Sequence, residues 1–170
     1  MTKFSEVIEG DLILDRDYKV DHGSLILDYG QIIPFAKERY SVTASGVIFA
    51  ERAYVKNIGA DCIKAGTVID ATGRVEGHDI VAGEIYADEV HAINIQAMKI
   101  RAHKVITAQY IDCGEIEADE LIKADLIRTY ATPLAKTVES KLTIYPNKRS
   151  AANFYCGPER EFKNKWVANY

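Results

Sequence analysis

Large aliphatic residues recur every five positions between Ile58 and Leu126, a period that suits neither an amphipathic helix nor an alternating strand. We call these residues anchors, and eleven of the thirteen gaps between them are five residues long. The anchors are Ile58, Ile63, Val68, Val75, Ile80, Ile85, Val90, Ile95, Ile100, Val105, Tyr110, Ile116, Leu121 and Leu126. In nine of the fourteen cases Ala or Gly stands two positions after the anchor. Self-similarity at a short fixed period predicts a stacked solenoid.

Each block of the type Ile-x-Ala-x-x predicts one side of a coil. An anchor and the Ala two residues later point to the same face of a short extended segment, and the next two residues turn the corner. Four such sides would close a square coil of about twenty residues, with strands of successive coils about 4.8 Å apart. The alanines would lie inside, where a second large side chain would overpack the coil.

The blocks YADEV, HAINI, QAMKI and RAHKV (86–105) resemble the pentapeptide-repeat family. This resemblance covers about 58–128 and implies a right-handed, four-sided parallel β-helix. A looser resemblance, through VEGHDIVAGEIYADEVHA (75–92), is to bactofilin-like β-helices, which polymerise and have nearer six residues per side. The six-residue period of left-handed acyltransferase helices fits less well.

The predicted fold is therefore all-β: a right-handed parallel β-helix with a small α-helical or irregular segment at its C-terminal end. Residues 1–57 are β-like without a strict repeat and predict irregular coils that cap the solenoid. We expect residues 58–130 to form the five-residue-repeat β-helix and residues 131–170 to form a cap or a dimerisation segment.

The C-terminal segment breaks the repeat. Residues 129–150 predict a short helix followed by an extended piece. From Pro158 onward, a second short helix would place an aromatic stripe on one side. The stripe consists of Phe162, Trp166 and Tyr170, with Val167 beside them. We expect it to cap the last coil or to form a dimer contact, since pentapeptide-repeat proteins dimerise through terminal elements.

Composition and targeting signals predict a cytoplasmic protein without a membrane span. No apolar run approaches eighteen residues, and the start MTKFSEVIEGD lacks the layout of a signal peptide. The three cysteines, Cys62, Cys113 and Cys156, are widely spaced and form no CxxC pair, which favours reduced thiols.

Charge is unevenly distributed along the chain. Residues 58–130 carry thirteen acids and seven bases, net −6, whereas 131–170 carry three acids and seven bases, net +4. We expect partners to bind an acidic set on the solenoid, interrupted by a basic belt of Lys99, Arg101 and Lys104. The acidic set is Glu84, Asp88, Glu89, Glu115, Glu117, Asp119, Glu120 and Asp125.

A second candidate surface is apolar. One residue after successive anchors, the four-sided coil stacks Tyr86, Ile106 and Ile127 on one outward face. Such an exposed apolar column is uncommon unless something covers it. We expect the cover to be the C-terminal segment, a second subunit or a target.

Side chains for catalysis are not arranged in any recognisable motif. The four histidines have no ligand spacing with one another or with a cysteine, and no Gly-rich phosphate loop or Gly-x-Ser-x-Gly turn occurs. Carboxylates such as Asp88 and Glu89 are not framed by a calcium-binding loop. We therefore expect no enzyme activity, no metal and no cofactor.

The leading functional prediction is a non-enzymatic binding protein that inhibits or protects a nucleic-acid-processing enzyme. Its acidic solenoid would act as a partial DNA mimic, as in gyrase-protecting pentapeptide-repeat proteins or phage antagonists of restriction and CRISPR systems. The expected partners are a protein target and a second copy in a homodimer, without direct nucleic-acid binding. The alternative is a structural β-helix that polymerises, as a cytoskeletal or phage assembly component. A solenoid acyltransferase-like enzyme is the third class.

Overall fold

The computed structural model describes residues 6–146, which form a parallel β-solenoid of about nine turns. Its eleven strands all pair in parallel with strands of the neighbouring turns. They are β1 (Glu6–Glu9), β2 (Leu12–Leu14), β3 (Tyr18–Val20), β4 (Leu25–Asp28), β5 (Gln31–Pro34), β6 (Val42–Ala44), β7 (Val47–Val55), β8 (Ile58–Ala71), β9 (Arg74–Ala118), β10 (Leu121–Thr129) and β11 (Thr137–Ile144). The all-β parallel fold predicted from the repeat is confirmed.

The coil has three sides, so the four-sided coil of about twenty residues is wrong. Strand partners in β7 to β11 are 15–17 residues apart in sequence, as in Ile58 with Val75 and Ile106 with Ile122. Three blocks of five or six residues fill this length. The 45-residue strand β9 winds through about three turns of the solenoid. The side-chain amide of Asn94 donates a hydrogen bond to Asp79, fifteen residues earlier, which joins equivalent positions of adjacent turns.

Each turn buries three large side chains, one from each side. Side A runs through Ile58, Val75, Val90, Ile106 and Ile122, side B through Ile63, Ile80, Ile95, Ile111 and Ile127, and side C through Ile69, Ile85, Ile100 and Ile116. These fourteen residues are at most 2 % exposed and form the central core. They differ from the predicted anchors at five places, where the buried residue is the next one along the chain.

A small residue follows every one of these fourteen buried side chains at a distance of two positions. These residues are Ala60, Ala65, Ala71, Gly77, Ala82, Ala87, Ala92, Ala97, Ala102, Ala108, Cys113, Ala118, Ala124 and Thr129. The rule that a large residue is followed by a small one is thus complete in the observed register. A triangular interior has room for one large and one small side chain per side.

One corner of the coil brings backbones of successive turns very close. A Cβ added at Gly83 would lie 2.5 Å from the carbonyl oxygen of Thr67, and one at Gly114 would lie 2.5 Å from that of Met98. Any larger residue at these two positions would push adjacent turns apart. The glycines therefore set the tight turn between sides B and C.

The first turns are longer than the central ones. Tyr18 pairs with Val42 and Leu25 pairs with Ile48, separations of more than twenty residues. The extra residues lie in loops, including 35–41 between β5 and β6. Ile8, Leu12, Tyr18 and Val20 of the first turn are partly buried and pack on the core.

The last described residues form bends and a strand rather than the predicted short helix. Pro133 is buried, Leu134 pairs with Glu117, and the amide of Leu134 donates to the carbonyl of Ile116. The open edge of the preceding turn thus supplies backbone partners that favour the extended form. The predicted extended piece is present as β11. The aromatic stripe lies outside the described residues. No helix in residues 6–146 is long and apolar enough to cross a membrane.

Candidate interaction surfaces

The basic belt and the acidic residues of the next turn form charged ladders on the outer surface. Arg101 Nε lies 3.4 Å from Glu117 Oε2, and both side chains project from side C one turn apart. Lys99 lies 3.8 Å from Glu115, and His103 Nδ1 lies 3.8 Å from Asp119. Because in-register strands place partners about 4.8 Å apart, opposite charges at equivalent positions attract each other across the turns.

Most other members of the acidic set also contact a side chain of the same chain. Asp88 lies 3.3 Å from Lys104, and Asp125 lies 2.9 Å from Lys141. Glu84 accepts a 2.8 Å hydrogen bond from the hydroxyl of Tyr86. Within residues 6–146, Glu120 makes no ion pair in the structure.

Glu89 has the most contacts of the predicted acidic set. Arg74 donates to it at 2.8 Å, and His91 Nε2 lies 3.4 Å away. The hydrogen bond from Arg74, followed by that from His91, lowers the pKa of Glu89 below its ordinary value. This carboxylate is therefore fixed by its own chain at neutral pH.

The predicted apolar column of Tyr86, Ile106 and Ile127 does not exist. Ile106 and Ile127 are fully buried core residues on sides A and B, and Tyr86 projects outward from side C. The prediction was wrong because a four-sided register assigned Val105 and Leu126 to the interior. In the three-sided coil, the residue after each of them points inward.

A shallow groove follows the corner between sides A and B. The small residues Ala60, Gly77 and Ala92 form part of its floor, because they have little or no side chain to fill it. Asp61, Glu76, His78 and His91 line it, and His78 Nδ1 lies 3.5 Å from Asp61 Oδ1. Within the described part of the chain, no group of three or more His, Cys, Asp or Glu residues is arranged to hold a metal ion.

Side B carries one buried carboxylate that sequence reasoning did not single out. Asp112 is 5 % exposed, lies 3.5 Å from Arg128, and leaves Oδ1 without a hydrogen-bond partner. Burial raises its pKa, and the charge of Arg128 partly opposes that rise. The neighbouring Cys113 is fully buried, and burial raises the pKa of its thiol to about 12.

Exposed large hydrophobic residues concentrate at the two ends of the solenoid. Nine of the eleven in residues 6–146 lie in the first two turns or after Tyr130, and only Ile93 and Met98 lie between. The first group is Val7, Ile13, Tyr29 and Phe35; the second is Leu134, Val138, Leu142, Ile144 and Tyr145. A terminal turn has a neighbouring turn on one side only, so its apolar side chains are less covered. The sequence does not show which turns are terminal, and sequence analysis therefore missed these residues.

No protein family, curated protein or solved structure matches the chain. Its sides of five to six residues lie between those of the two families that the repeat resembles.

Proposed function

We propose that this protein is a non-enzymatic protein-binding rod that works through its two ends, as a structural or assembly component. The observation that carries the proposal is the concentration of exposed apolar side chains in the first two turns and after Tyr130. Exposed apolar patches on a protein surface mark contacts with other macromolecules.

Backbone geometry supports contacts at the same places. β11 pairs only with β10, and β1, β2 and β3 pair only with strands of the second turn. In the described residues, each end thus presents a row of peptide groups without strand partners. Such an edge readily pairs with another chain.

The test compares equally exposed apolar residues at an end and in the middle. Leu142 in β11 is 54 % exposed, and Met98 in the central turns is 56 % exposed. Leu142→Asp should abolish capture of the protein's partners from its host cell, whereas Met98→Asp should leave capture unchanged. Equal capture by both variants, with circular dichroism showing both folded, would refute a role for the ends.

A second candidate is the acidic inhibitor or protector of a nucleic-acid-processing enzyme. It is favoured by the excess of six carboxylates in residues 58–130, since seven bases cannot neutralise thirteen acids. Asp79 accepts a hydrogen bond from the neutral Asn94 and Glu84 accepts one from the hydroxyl of Tyr86. Glu120 makes no ion pair within residues 6–146. The alternating ladders weaken the likeness to duplex DNA, whose charge has one sign and a spacing of about 1.7 Å.

This candidate makes its own prediction for gyrase and for restriction nucleases. If the protein binds such an enzyme, reversing Asp79, Glu84 and Glu120 to Lys should relieve inhibition and remove its salt dependence. Reversing the ladder acids Glu115 and Glu117 provides the control. Unchanged inhibition by the first variant would exclude DNA mimicry by these carboxylates.

A further inference from the structure

We infer that side B of the solenoid is a second interaction surface, and that its partner is side B of another copy of this chain. The two rods lie parallel and face to face, related by a two-fold axis along their length. This lateral pairing is independent of the ends that the proposed function invokes. It follows from the composition, the symmetry and the size of the face.

Side B presents two columns of outward side chains. Strand pairing places the residue before each buried isoleucine of this side in one column and the residue after it in the other. In the central turns, the first column contains Val47, Cys62, Asp79, Asn94, Tyr110 and Leu126. The second column contains Phe49, Lys64, Val81, Gln96, Asp112 and Arg128.

This face is the least polar of the three. Six of its twelve outward residues are aliphatic, aromatic or cysteine, and four are charged. On side C, seven of the ten corresponding residues between Arg52 and Glu117 are charged. On side A, only Val105 and Leu121 are large and apolar at these positions. Because charged residues are depleted at the centre of protein interfaces, side B is the face best suited to burial.

The shape of side B also allows a second flat face to approach. Its strands are in parallel register from one turn to the next, and the corner that follows them has no side chain at Gly66, Gly83 and Gly114. Two flat β faces pack with their backbones about 10 Å apart. A flat face of the same length is the matching partner, and a second copy supplies one.

A two-fold axis parallel to the rods makes the face complementary to itself. It places the first column of one copy over the second column of the other, turn by turn. Val47 then meets Phe49, and Asn94 meets Gln96. The side-chain amide of Asn94 donates to Asp79 within its own chain, so its carbonyl oxygen can accept from Gln96 of the other copy.

The charges of the two columns favour the parallel arrangement. Asp79 of one copy would lie over Val81 and one turn, about 4.8 Å, from Lys64 of the other. Asp112 and Arg128 lie 3.5 Å apart within each chain and enter the joint as a pair. An antiparallel pair would instead place each column over itself, and a central axis would bring the two Asp79 carboxylates together. Electrostatics therefore selects the parallel pair.

The area of side B suits a reversible dimer. Between β4 and β11 the face extends over eight turns, which corresponds to about 38 Å of the rod, and five residues give a width of about 16 Å. Pairing would bury about 600 Å² of each copy, or about 1,200 Å² in total. This is the lower end of the range for specific interfaces, so we expect a dimer that dissociates on dilution.

Two valine substitutions test the face by sedimentation equilibrium. Val81 on side B and Val68 on side C are both half-buried, and each has a base in register on the preceding turn, Lys64 and Arg52 respectively. Val81→Asp should raise the dissociation constant of the dimer at least about tenfold, because it adds two carboxylates to the joint. Val68→Asp should leave it unchanged. A wild type that is monomeric at all concentrations, or equal constants for the two variants, would overturn the lateral pairing.

Cross-linking tests the polarity of the pair. Val47→Cys is made in the full chain with Cys62→Ala and Cys156→Ser, which leaves Cys113 buried. In the parallel pair the two copies of residue 47 would lie about 12 Å apart, within reach of a bismaleimide with a spacer of about 13 Å. We expect a covalent dimer. Thr43→Cys in the same background lies on side A of the same turn and should give none.

The remaining outcomes each contradict the inference. A covalent dimer that forms only when Val47→Cys is mixed with Tyr110→Cys indicates an antiparallel pair. Equal cross-linking of the Thr43→Cys variant indicates contact without a preferred face. Self-association that is lost in Leu142→Asp but kept in Val81→Asp places the contact at the ends, which leaves the proposed function intact and removes the lateral pairing.

Discussion

Ile106 and Ile122 lie in register on adjacent turns, sixteen residues apart in sequence, and both side chains are fully buried. This pairing defines the length of the coil in the C-terminal half of the solenoid. It also places Ile106 inside the coil. A strict five-residue count would instead place its neighbour Val105 there. The two neighbours therefore distinguish the observed register from the simpler one.

Truncation of Ile106 should destabilise the protein much more than truncation of Val105. Ile106→Ala removes three buried carbons and leaves a cavity, which typically costs about 2–5 kcal/mol. Val105→Ala affects a half-buried side chain and should cost less than about 1.5 kcal/mol. Urea unfolding of both variants measures the difference. A larger loss for Val105→Ala would show that the register is displaced by one residue.

The small residues inside the coil should resist enlargement. Ala97 is fully buried two residues after Ile95, so Ala97→Leu overpacks the interior and should destabilise the protein by about 1–3 kcal/mol. Gln96→Leu adds an aliphatic side chain at the adjacent outward position and is the matched control. Thermal unfolding compares the two variants, and equal melting temperatures would contradict the packed interior.

The sequence predicts the solenoid but not the number of sides. At five places two apolar residues are adjacent, such as Val105-Ile106 and Leu121-Ile122, and periodicity alone favours the first of each pair. The small residue two positions later identifies the second, because Ala108 follows Ile106 and Ala124 follows Ile122. Applied at every block, this rule gives sides of five or six residues. Closure by three rather than four sides depends on tertiary packing.

Asp112 should make the folded state less stable as pH rises. Burial raises its pKa in the folded chain, so the folded chain holds the proton more tightly than the unfolded chain does. Stability is therefore lost as pH rises from the ordinary Asp range through the raised pKa. Asp112→Asn removes this dependence, although it also weakens the contact with Arg128.

The measurement is urea unfolding of wild type and Asp112→Asn between about pH 3 and pH 7. The variant should gain stability relative to the wild type as pH rises across this range. A relative loss at the higher pH would mean that the ion pair with Arg128 outweighs the cost of burial.

Cys113 should be inert in the folded protein. Its thiol is buried with a pKa of about 12, so the reactive thiolate is scarce near neutral pH. Cys62 is half-buried and should react with a maleimide at least about tenfold faster. Peptide-level mass spectrometry after a short labelling pulse separates the two. Equal labelling before unfolding would contradict the closed coil around Cys113.

The charged surface was predicted by residue but not by arrangement. The sequence indicates an acidic solenoid with a basic belt, and those residues do project outward. It does not show that Arg101 meets Glu117 or that Lys99 meets Glu115, because these contacts depend on a turn of sixteen residues. The exposed apolar ends escaped detection for the same reason, since the terminal turns are recognised only once the stack is known.

The most direct test of the three-sided solenoid is the contact between Ile106 and its neighbours in solution. Methyl-selective NMR of isotope-labelled protein should give strong nuclear Overhauser effects between the methyl groups of Ile106 and Ile122, which are partners in register. Effects from Ile106 to Leu126, twenty residues away, with none to Ile122 would restore a four-sided coil and contradict the register on which the charged ladders depend.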